Sequence, residues 1–433
     1  MFFDLQQSPV VLYLVADFQL EDIKMENKLW TKDFTIITLG SVVSMIGNAL
    51  ASFAMSLFVL DFTGSTLYYS IYIFLYTLPQ IAAPVISGPL MDRFSRRRTI
   101  YCLDFAMTAL YIFLGVMVYF DVLNFGIFAA AVFVSGMISS VYNVAFQSFF
   151  PMLISEGNYT KAYSISSALE TLTFVMIPVS AFVYNSVGLY PLLLANALCF
   201  LAAALFEMRI SDVEGSTVLE KPAEYGGIQY IKDMREGVRY LFSEKGLLAI
   251  TLYFTVISFS GGASQVITLP WFRSNYENGE YIYTSVWAFM VIGRVLGGML
   301  HYKIKLPTDK KFAIALFVYV SIALLEGFYL YTPIIIMQAA CFLNGLLSVT
   351  SYNIRISATQ SYVPNERKGR YNGTFMMLNT VGSLLGQLFA GTLSEFIPTR
   401  TVLTCFMVFS AVSAIVIIGG NKKHVVPIYN RQA

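Results

Sequence analysis

Charged residues, histidine and cysteine are scarce in this sequence. Only 12% of its 433 residues are Asp, Glu, Lys or Arg, and it has two histidines and four cysteines. Soluble domains carry roughly 25% charged residues, so this composition excludes an ordinary soluble protein. The cysteines lie far apart within apolar segments, which argues against disulfides and zinc. We therefore predict no metal site and no cofactor. The four cysteines are Cys102, Cys199, Cys341 and Cys405.

The sequence also lacks the patterns of catalysis and of nucleic-acid binding. It contains no Gly-x-x-x-x-Gly-Lys-Ser/Thr loop, which excludes direct ATP hydrolysis by such a loop as an energy source. No nucleophile, carboxylate pair or metal cluster converges, so we predict that the protein is not an enzyme. A net charge of only +2 gives no indication of a nucleic-acid partner.

Long apolar segments dominate the chain. Hydrophobic residues make up 57% of it, and the mean hydropathy is +0.65. Each segment is long enough, as a helix, to cross about 30 Å of hydrocarbon. We predict an all-α membrane protein with twelve transmembrane helices, at 34–60, 66–88, 99–120, 124–149, 162–187, 190–210, 247–270, 281–302, 311–331, 333–354, 371–396 and 400–419.

Lysine and arginine are concentrated on one side of this layout. Nearly all fall in the loops of one side, whereas Arg273 and Arg400 fall on the other side and Arg294 lies within a span. Positive residues near span ends stay in the cytoplasm. We therefore predict a multi-pass protein of the cell membrane with both termini cytoplasmic.

The sequence repeats itself once. Gly88-Pro89-Leu90 recurs as Gly298-Met299-Leu300, and Gln147-Ser148-Phe149-Phe150-Pro151 recurs as Gln360-Ser361-Tyr362-Val363-Pro364, at spacings of 210 and 213 residues. Two matches in the same order predict two pseudo-symmetric six-helix bundles. The predicted units are an N-terminal segment 1–33, a bundle 34–210, a linker 211–246, a bundle 247–420 and a cytoplasmic tail 421–433.

Two stretches outside the bundles carry separate predictions. The first 24 residues lack the basic start of a signal peptide, and we predict that the functional chain starts at Met25. The linker contains an amphipathic helical pattern. This helix either lies on the inner leaflet with its apolar side down or packs on the ends of the bundles. Its apolar face would consist of Ile228, Ile231, Val238, Leu241 and Phe242.

The loop from Gly88 to Arg98 places charges between two spans. Its positions Gly88, Leu90, Asp92 and Arg93, together with the run Arg96, Arg97 and Arg98, resemble the loop between helices two and three of the major facilitator superfamily. Met91 and Ser95 depart from that pattern. The resemblance implies a transporter that rocks two halves about a central cavity. It also implies that Asp92 contacts the amino end of the eleventh span, near Tyr371 to Thr374, as part of a cytoplasmic gate.

Ionisable residues inside spans are functional candidates because their burial is costly. Glu170 and Arg294 lie at matching depths in spans that face each other in the family's fold. They form either an ion pair between the halves or two charges neutralised separately within each half. We expect Asp104 to anchor the arginine run and Glu207 to extend to the membrane surface. No role is assigned to Glu326.

Amides and hydroxyls within the spans are candidates for a cavity lining. Asn48 continues a stripe of small residues in the first span, which either lines the pore or only permits close helix packing. Gly261-Gly262 in the seventh span is a predicted flexible point. Further candidates are Asn143, Gln147, Gln265, Asn344, Asn353, Asn379 and Gln387.

The closest resemblance within the superfamily is to twelve-span bacterial exporters of the macrolide-efflux and siderophore types. The residues that carry it are Trp30 to Gly40 and Thr63-Gly64-Ser65. It implies a monomeric secondary transporter in the lipid bilayer, driven by protons, that exports an amphipathic small molecule. The span-five Gly-Pro of proton-coupled drug exporters is missing at Met176 to Ser180. Two alternatives stay open, namely an importer or exchanger of a polar metabolite and a membrane sensor that no longer transports.

Overall fold

The computed structural model describes residues 28–81, 95–155, 158–211, 227–303 and 306–431. Within these ranges every long element is a helix, and no strand is present. The predicted start at Met25 and the loop residues Gly88, Asp92 and Arg93 lie outside the described residues.

Six helices form the N-terminal half of the molecule. The first begins at the N-cap Thr31, whose hydroxyl accepts the Phe34 N–H, and ends at Gly64, which adopts φ 65°. Glycine enters this left-handed region without steric cost, so the chain turns sharply into the second helix. The six are α1 (Lys32–Thr63), α2 (Thr66–Thr77), α3 (Arg96–Tyr119), α4 (Phe125–Phe149), α5 (Tyr159–Val187) and α6 (Leu189–Glu207).

A linker helix and seven further helices complete the chain. The linker helix is α7 (Gly227–Ser243), and the C-terminal half contains α8 (Lys245–Asn275), α9 (Gly279–Lys303), α10 (Lys311–Phe328), α11 (Ile334–Tyr362), α12 (Asn365–Leu393) and α13 (Thr399–Ser413). A π-helical turn at Ala414–Gly419 follows, and α14 (Lys422–Tyr429) packs at the end of the chain. The predicted tail therefore includes a helix.

Every predicted apolar segment contains one of these helices. In the described part of the chain, nine are both long and apolar enough to cross a membrane. The other three are α2, described over twelve residues, and α5 and α12, which carry more polar residues. The membrane class is confirmed, and the count of twelve spans stays a prediction.

The two halves pair their helices in the same way. The contacts α1–α5, α2–α4 and α3–α6 in the N-terminal half correspond to α8–α12, α9–α11 and α10–α13 in the C-terminal half. The repeated Gln-Ser motif also marks equivalent places, because α4 ends at Phe149 and α11 ends at Tyr362. The predicted two-bundle architecture is therefore present, with its seam between the bundles.

Equivalent helix contacts are held by different chemistry. Between α1 and α5, the Ser180 hydroxyl donates to the Leu50 carbonyl at 2.5 Å. Between α8 and α12, glycine permits close approach, since a Cβ on Gly262 would overlap the Ser383 carbonyl. Gly261 faces open space. Gly262 therefore serves packing, and only Gly261 stays a candidate for the predicted flexible point.

The linker helix packs on α12. A Cβ on Gly237 would overlap the Arg370 carbonyl and the Thr374 hydroxyl, and Leu241 is fully buried. The Arg370 guanidinium lies 2.9 Å from the Glu236 carboxylate. Of the two arrangements predicted for this helix, the structure shows packing on the end of a bundle. Phe242, on the predicted apolar face, is exposed.

Candidate functional site

The ends of the helices define two faces of the molecule. We call the end that carries Lys32, α7 and α14 the linker face, and the end that carries Gly64, Gly188 and Asn278 the far face. The chain reverses at these far-face residues, and all three have positive φ. The two halves contact each other differently at the two faces.

Five polar residues join the halves at the far face, and we call them the far-face network. The Arg273 guanidinium lies 2.7 Å from Asp61 Oδ1 and 3.6 Å from Glu280 Oε2, and it also donates to the Leu57 carbonyl at 3.3 Å. The Tyr184 hydroxyl donates to Asp61 Oδ2 at 2.7 Å, and the Asn185 amide donates to Glu280 Oε1 at 2.7 Å. Arg273 of the C-terminal half thus contacts α1 directly, and the two carboxylates that it binds each accept a hydrogen bond from α5.

Two further contacts strengthen this seam. The Ser65 hydroxyl and the Leu67 N–H both donate to Glu395 Oε1, at 2.6 and 3.2 Å. The rings of Phe53 and Tyr283 stack across the halves with centroids 6.3 Å apart. The far face is therefore closed by ionic, hydrogen-bonded and aromatic contacts.

The sequence alone does not assign these roles. It marks Arg273 only as a basic residue on the far side, and it does not single out Asp61 or Glu280. The available signal was a lone arginine on the side that basic residues otherwise avoid, near the end of a span. Its partners lie in helices distant in sequence, so no local pattern identifies them.

The N-terminal half contains a cavity of about 520 Å³ on the linker-face side. Its walls come from the linker-face portions of α1, α4 and α5. Asn143 and Gln147 line it, together with Tyr142. A smaller cavity of about 160 Å³ shares Asn143 and Tyr142 with it and extends inward to Asn48 and Asp104. The structure thus places three predicted amides, Asn48, Asn143 and Gln147, beside cavities.

The C-terminal half contains a cavity of about 400 Å³ lined by α8, α9, α10, α11 and α13. Gln265 lines this cavity, as do Trp287, Tyr319 and Tyr329. Arg294 and Glu326 face the same space. Apolar, aromatic and charged groups therefore surround one volume within this bundle.

The remaining predicted amides make contacts between helices. Asn379 accepts a hydrogen bond from the Ser258 hydroxyl at 2.7 Å, and Gln387, almost fully buried, donates to Gln265 Oε1 at 3.0 Å. Asn353 is half-buried in α11. None of the three borders the cavities described above. For Asn379 and Gln387, joining α12 to α8 is the observed role.

Arg294 interacts within its own half. Its Nε donates to the Ser348 hydroxyl at 3.3 Å, and it lies within electrostatic range of Glu326. Glu326 Oε2 in turn accepts from the Asn344 amide at 3.3 Å. The Glu170 side chain lies outside the described residues, so its pairing with Arg294 stays a prediction. The contacts seen for Arg294 match the alternative of separate neutralisation.

Asp104 and Glu207 occupy positions that differ from those expected. Glu207 is fully buried rather than extended to the surface, and Asp104 is 1% exposed. The two carboxyl groups are close together because α3 packs against α6. Asp104 does not anchor the described arginines. The reason is packing, because α6 lies against α1 and α3 and turns Glu207 inward.

The described arginines of the loop motif contact neighbouring helices. The Arg97 guanidinium donates to the Met208 carbonyl at 2.6 Å, and Arg96 Nη1 lies 3.2 Å from Met152 Sδ. The Arg98 N–H donates to the hydroxyl of Ser95, which caps α3. The predicted contact of Asp92 with α12 lies outside the described residues, and α7 covers Arg370 and Thr374 there.

The architecture is that of a membrane carrier with two similar helical halves, whose described residues join at the far face and enclose a polar cavity in each half. The family model described as Major Facilitator Superfamily matches residues 37–387. The chain therefore belongs to the Major Facilitator Superfamily.

Several known proteins are similar to this chain. Macrolide efflux protein A of Streptococcus pyogenes is 24% identical over 397 residues, which cover 88% of this chain and 95% of that protein. The uncharacterized MFS-type transporter YkuC of Bacillus subtilis is 22% identical over 63% of this chain and 66% of that protein. Family and relatives indicate a membrane transporter rather than an enzyme.

Solved structures show the same fold. A bacterial homologue of the iron transporter ferroportin, in an inward-facing state, superimposes with a TM-score of 0.65 over 92% of this chain and 98% of that one, at 13% identity. The nucleoside transporter NupG (D323A mutant) gives a TM-score of 0.62 over 91% of this chain and 100% of that one, at 11% identity.

Proposed function

We propose that this protein is a proton-driven exporter of amphipathic small molecules in the cell membrane. In this proposal both termini and the linker face are cytoplasmic, and the two halves rock about the seam between them. The observation that carries the proposal is the asymmetry of the seam. Among the described residues, the halves are bonded through Arg273 at the far face, while the cavity of the N-terminal half lies on the linker-face side.

This asymmetry corresponds to an inward-open arrangement. A substrate from the cytoplasm would enter between the halves, and release outside would require the far-face network to break. The network suits this role because its ion pairs are partly exposed, with side-chain exposures of 23% for Arg273 and 44% for Asp61. Partly hydrated ion pairs contribute modest free energy, so they can close one face without trapping the protein there.

The cavity linings support an amphipathic substrate. Aromatic walls at Trp287 and Tyr329 supply apolar contact, and amides such as Gln265 and Asn143 supply a few hydrogen-bonding groups. The similarity to Macrolide efflux protein A supports a substrate of that kind.

A second candidate function is transport of a polar metabolite. The observation that favours it is the presence of Arg294 and Glu326 on one cavity, because opposite charges there would bind a zwitterion. The cavities themselves count against the alternative of a sensor without transport.

Inverted membrane vesicles test these alternatives, because the linker face would then be exposed to the medium. A radiolabelled macrolide should accumulate in vesicles that contain the protein when the lumen is acidified, and a protonophore should abolish the accumulation. Vesicles from cells without the protein are the control. Accumulation of a labelled zwitterionic amino acid instead would favour the second candidate, and accumulation of neither above control would contradict the export proposal.

Replacement of Arg273 tests the closing role of the far-face network. Arg273→Gln removes the charge-assisted contacts to Asp61 and Glu280, each worth about 0.2–1 kcal/mol at this exposure, so transport should fall by several-fold, to about a tenth at most. A single cysteine at Phe53 should also become more accessible to a polar reagent from the far face.

Arg400→Gln provides a matched control for this variant. Arg400 also lies at the far face, but its guanidinium stacks on Tyr331 within its own half, 5.0 Å from the ring centre. It should transport as the wild type does. Equal transport and equal labelling in both variants would contradict the role of Arg273.

A further inference from the structure

The N-terminal half buries two acidic side chains in one place. Asp104 lies in α3 and Glu207 at the end of α6, and they are 1% and 0% exposed. Packing of α3 against α6 brings their carboxyl groups close together. Neither residue belongs to the cavity amides or the far-face network, so their burial needs its own explanation.

The surroundings of the pair supply few hydrogen-bond donors. The Tyr142 hydroxyl of α4 reaches Glu207 Oε1 at 3.4 Å. Over the residues that the structure describes, both Asp104 oxygens and Glu207 Oε2 have no donor. Two ionised carboxylates are acceptors only and cannot satisfy each other.

Among the described residues, no cation contacts the pair. Gly40 of α1, which has no charge, lies beside Glu207, and from α4 the Tyr142 hydroxyl contacts it. Arg97 lies in the same helix as Asp104, but its guanidinium donates to the Met208 carbonyl. Two adjacent negative charges enclosed away from water, without a cation, are strongly unfavourable.

One proton resolves both difficulties. It removes one negative charge, and it turns one carboxyl into a donor whose hydrogen bond the other carboxylate accepts. This is the arrangement in which two neighbouring carboxyl groups share a proton and titrate as a unit.

The pair borders a cavity that shares polar walls with the larger one. Asp104 lines the cavity of about 160 Å³, with Ser44, Asn48 and Asn143 among its walls. Ser44, Asn143 and Tyr142 also line the cavity of about 520 Å³. Polar side chains thus lie between the Asp104 carboxyl group and the cavity on the linker-face side.

We propose that Asp104 and Glu207 together bind a single proton and form the site at which proton binding is coupled to transport. The coupling part of this inference rests on the proposed proton-driven export, whereas the shared proton itself does not. Tyr142 provides the connection, because its hydroxyl contacts Glu207 and its ring lines both cavities. Loss of the proton changes the charge that Tyr142 faces and therefore the wall of the substrate cavity.

Dicyclohexylcarbodiimide tests the proton directly, since it reacts with protonated carboxyl groups in apolar surroundings. The full-length protein in lipid vesicles is labelled across a pH series, and the adducts are located by mass spectrometry of peptides. Asp104 or Glu207 should be labelled at neutral pH, with labelling falling as the pH rises. In Asp104→Asn the amide donates to Glu207 and no shared proton is needed, so labelling of Glu207 at neutral pH should fall about tenfold.

Glu326→Gln is the matched control, because it removes a carboxyl group of the other half and should leave this labelling unchanged. Infrared spectroscopy gives a second measurement that needs no reagent. The C=O band of a protonated carboxyl should titrate in Glu326→Gln and disappear in a variant that also carries Asp104→Asn and Glu207→Gln.

Three results would overturn the proposal. They are a protein with no such band at any pH, labelling of Glu207 that Asp104→Asn does not alter, and suppression of labelling by Na⁺ at constant pH, which would assign the site to a metal cation. None of these measurements depends on a transported substrate. A failed export assay with a titrating pair would therefore contradict the proposed function alone.

Discussion

The two halves of the molecule pair their helices alike but differ in the charges that they enclose. In the N-terminal half, Asp104 and Glu207 form a pair of like groups on α3 and α6. The first motif of the repeat recurs after 210 residues. At this spacing, Asp104 corresponds to Ile314 on α10, and Glu207 corresponds to Ile417 in the turn after α13. Both isoleucines pack against an apolar cluster.

The C-terminal half instead places charges of opposite sign on one cavity. Arg294 and Glu326 share one cavity, so each reduces the charge that the other presents to apolar surroundings. Helix pairing therefore requires only that apolar faces meet, and the sites for charge are chosen independently in each half. We infer that the N-terminal half handles the proton and that the C-terminal half contributes contacts to substrate.

The largest effect should come from copying the N-terminal charges into the C-terminal half. Ile314→Asp with Ile417→Glu introduces two carboxyl groups beside an apolar cluster, at positions that line none of the three cavities described above. The free energy of unfolding should fall by about 3 kcal/mol or more. Thermal unfolding in detergent, monitored by helix content, measures the change.

The mirror-image variant is the control for this comparison. Asp104→Leu with Glu207→Leu gives the N-terminal half the apolar character of the other half, and replacing buried ionisable pairs in this way is often neutral or stabilising. It should fold at least as well as the wild type. If the isoleucine variant is equally stable, the two helix pairs do not differ in the way the structure indicates.

The halves also differ in the contact between paired helices, α8 with α12 in one half and α1 with α5 in the other. A substitution at Gly262 tests this difference. Gly262→Ala places a methyl group against the Ser383 carbonyl, whereas the N-terminal half holds its equivalent contact through Ser180. The overlap should lower the free energy of unfolding by about 1–2 kcal/mol.

Gly261→Ala is the adjacent control because its methyl group meets open space. Alanine favours helix over glycine by about 1 kcal/mol, so this variant should be slightly stabilised. The same thermal unfolding measurement compares the two. A stabilised Gly262→Ala would show that α8 and α12 are not in close contact there.

The terminal helix α14 packs on α8, α10 and α11 of the C-terminal half. The Tyr429 hydroxyl is buried and hydrogen-bonds to the Tyr319 hydroxyl at 2.8 Å. Tyr429→Phe removes this bond and leaves Tyr319 without it, which should cost about 1 kcal/mol. Unfolding in urea measures the loss, and Tyr119→Phe, at an exposed ring, is the control with no expected change. An unchanged stability in Tyr429→Phe would show that α14 is not anchored through this hydroxyl.

Helix positions were predictable from the sequence because hydropathy is a local property. The first span was predicted at 34–60, and α1 covers Lys32–Thr63. The even number of predicted spans and the repeated Gln-Ser motif also indicate two similar bundles. Such features depend on neighbours along the chain, which a sequence shows directly.

The partners of the charges were not predictable in this way. Arg273 is 212 residues from Asp61, and the depth of Arg294 in its span matches that of Glu170, whereas its charged neighbour in the described structure is Glu326. The position of Glu207 at a helix end predicts a surface side chain, whereas its carboxyl group lies buried beside Gly40 of α1. Pairing between distant helices, rather than depth along one helix, decides these contacts.

The smallest effect should come from the linker helix, which, like α14, packs on the C-terminal half. The Glu236–Arg370 ion pair has side-chain exposures of 44% and 41%, so water and salt screen it. Glu236→Gln should lower the free energy of unfolding by only about 0.2–1 kcal/mol, and the difference should vanish in high salt.

Gly237→Leu, which would force α7 away from Arg370 and Thr374, should instead expose a cysteine at position 374 to polar reagents. If Glu236→Gln exposes that cysteine equally well, the ion pair rather than the close packing at Gly237 holds the linker on this half.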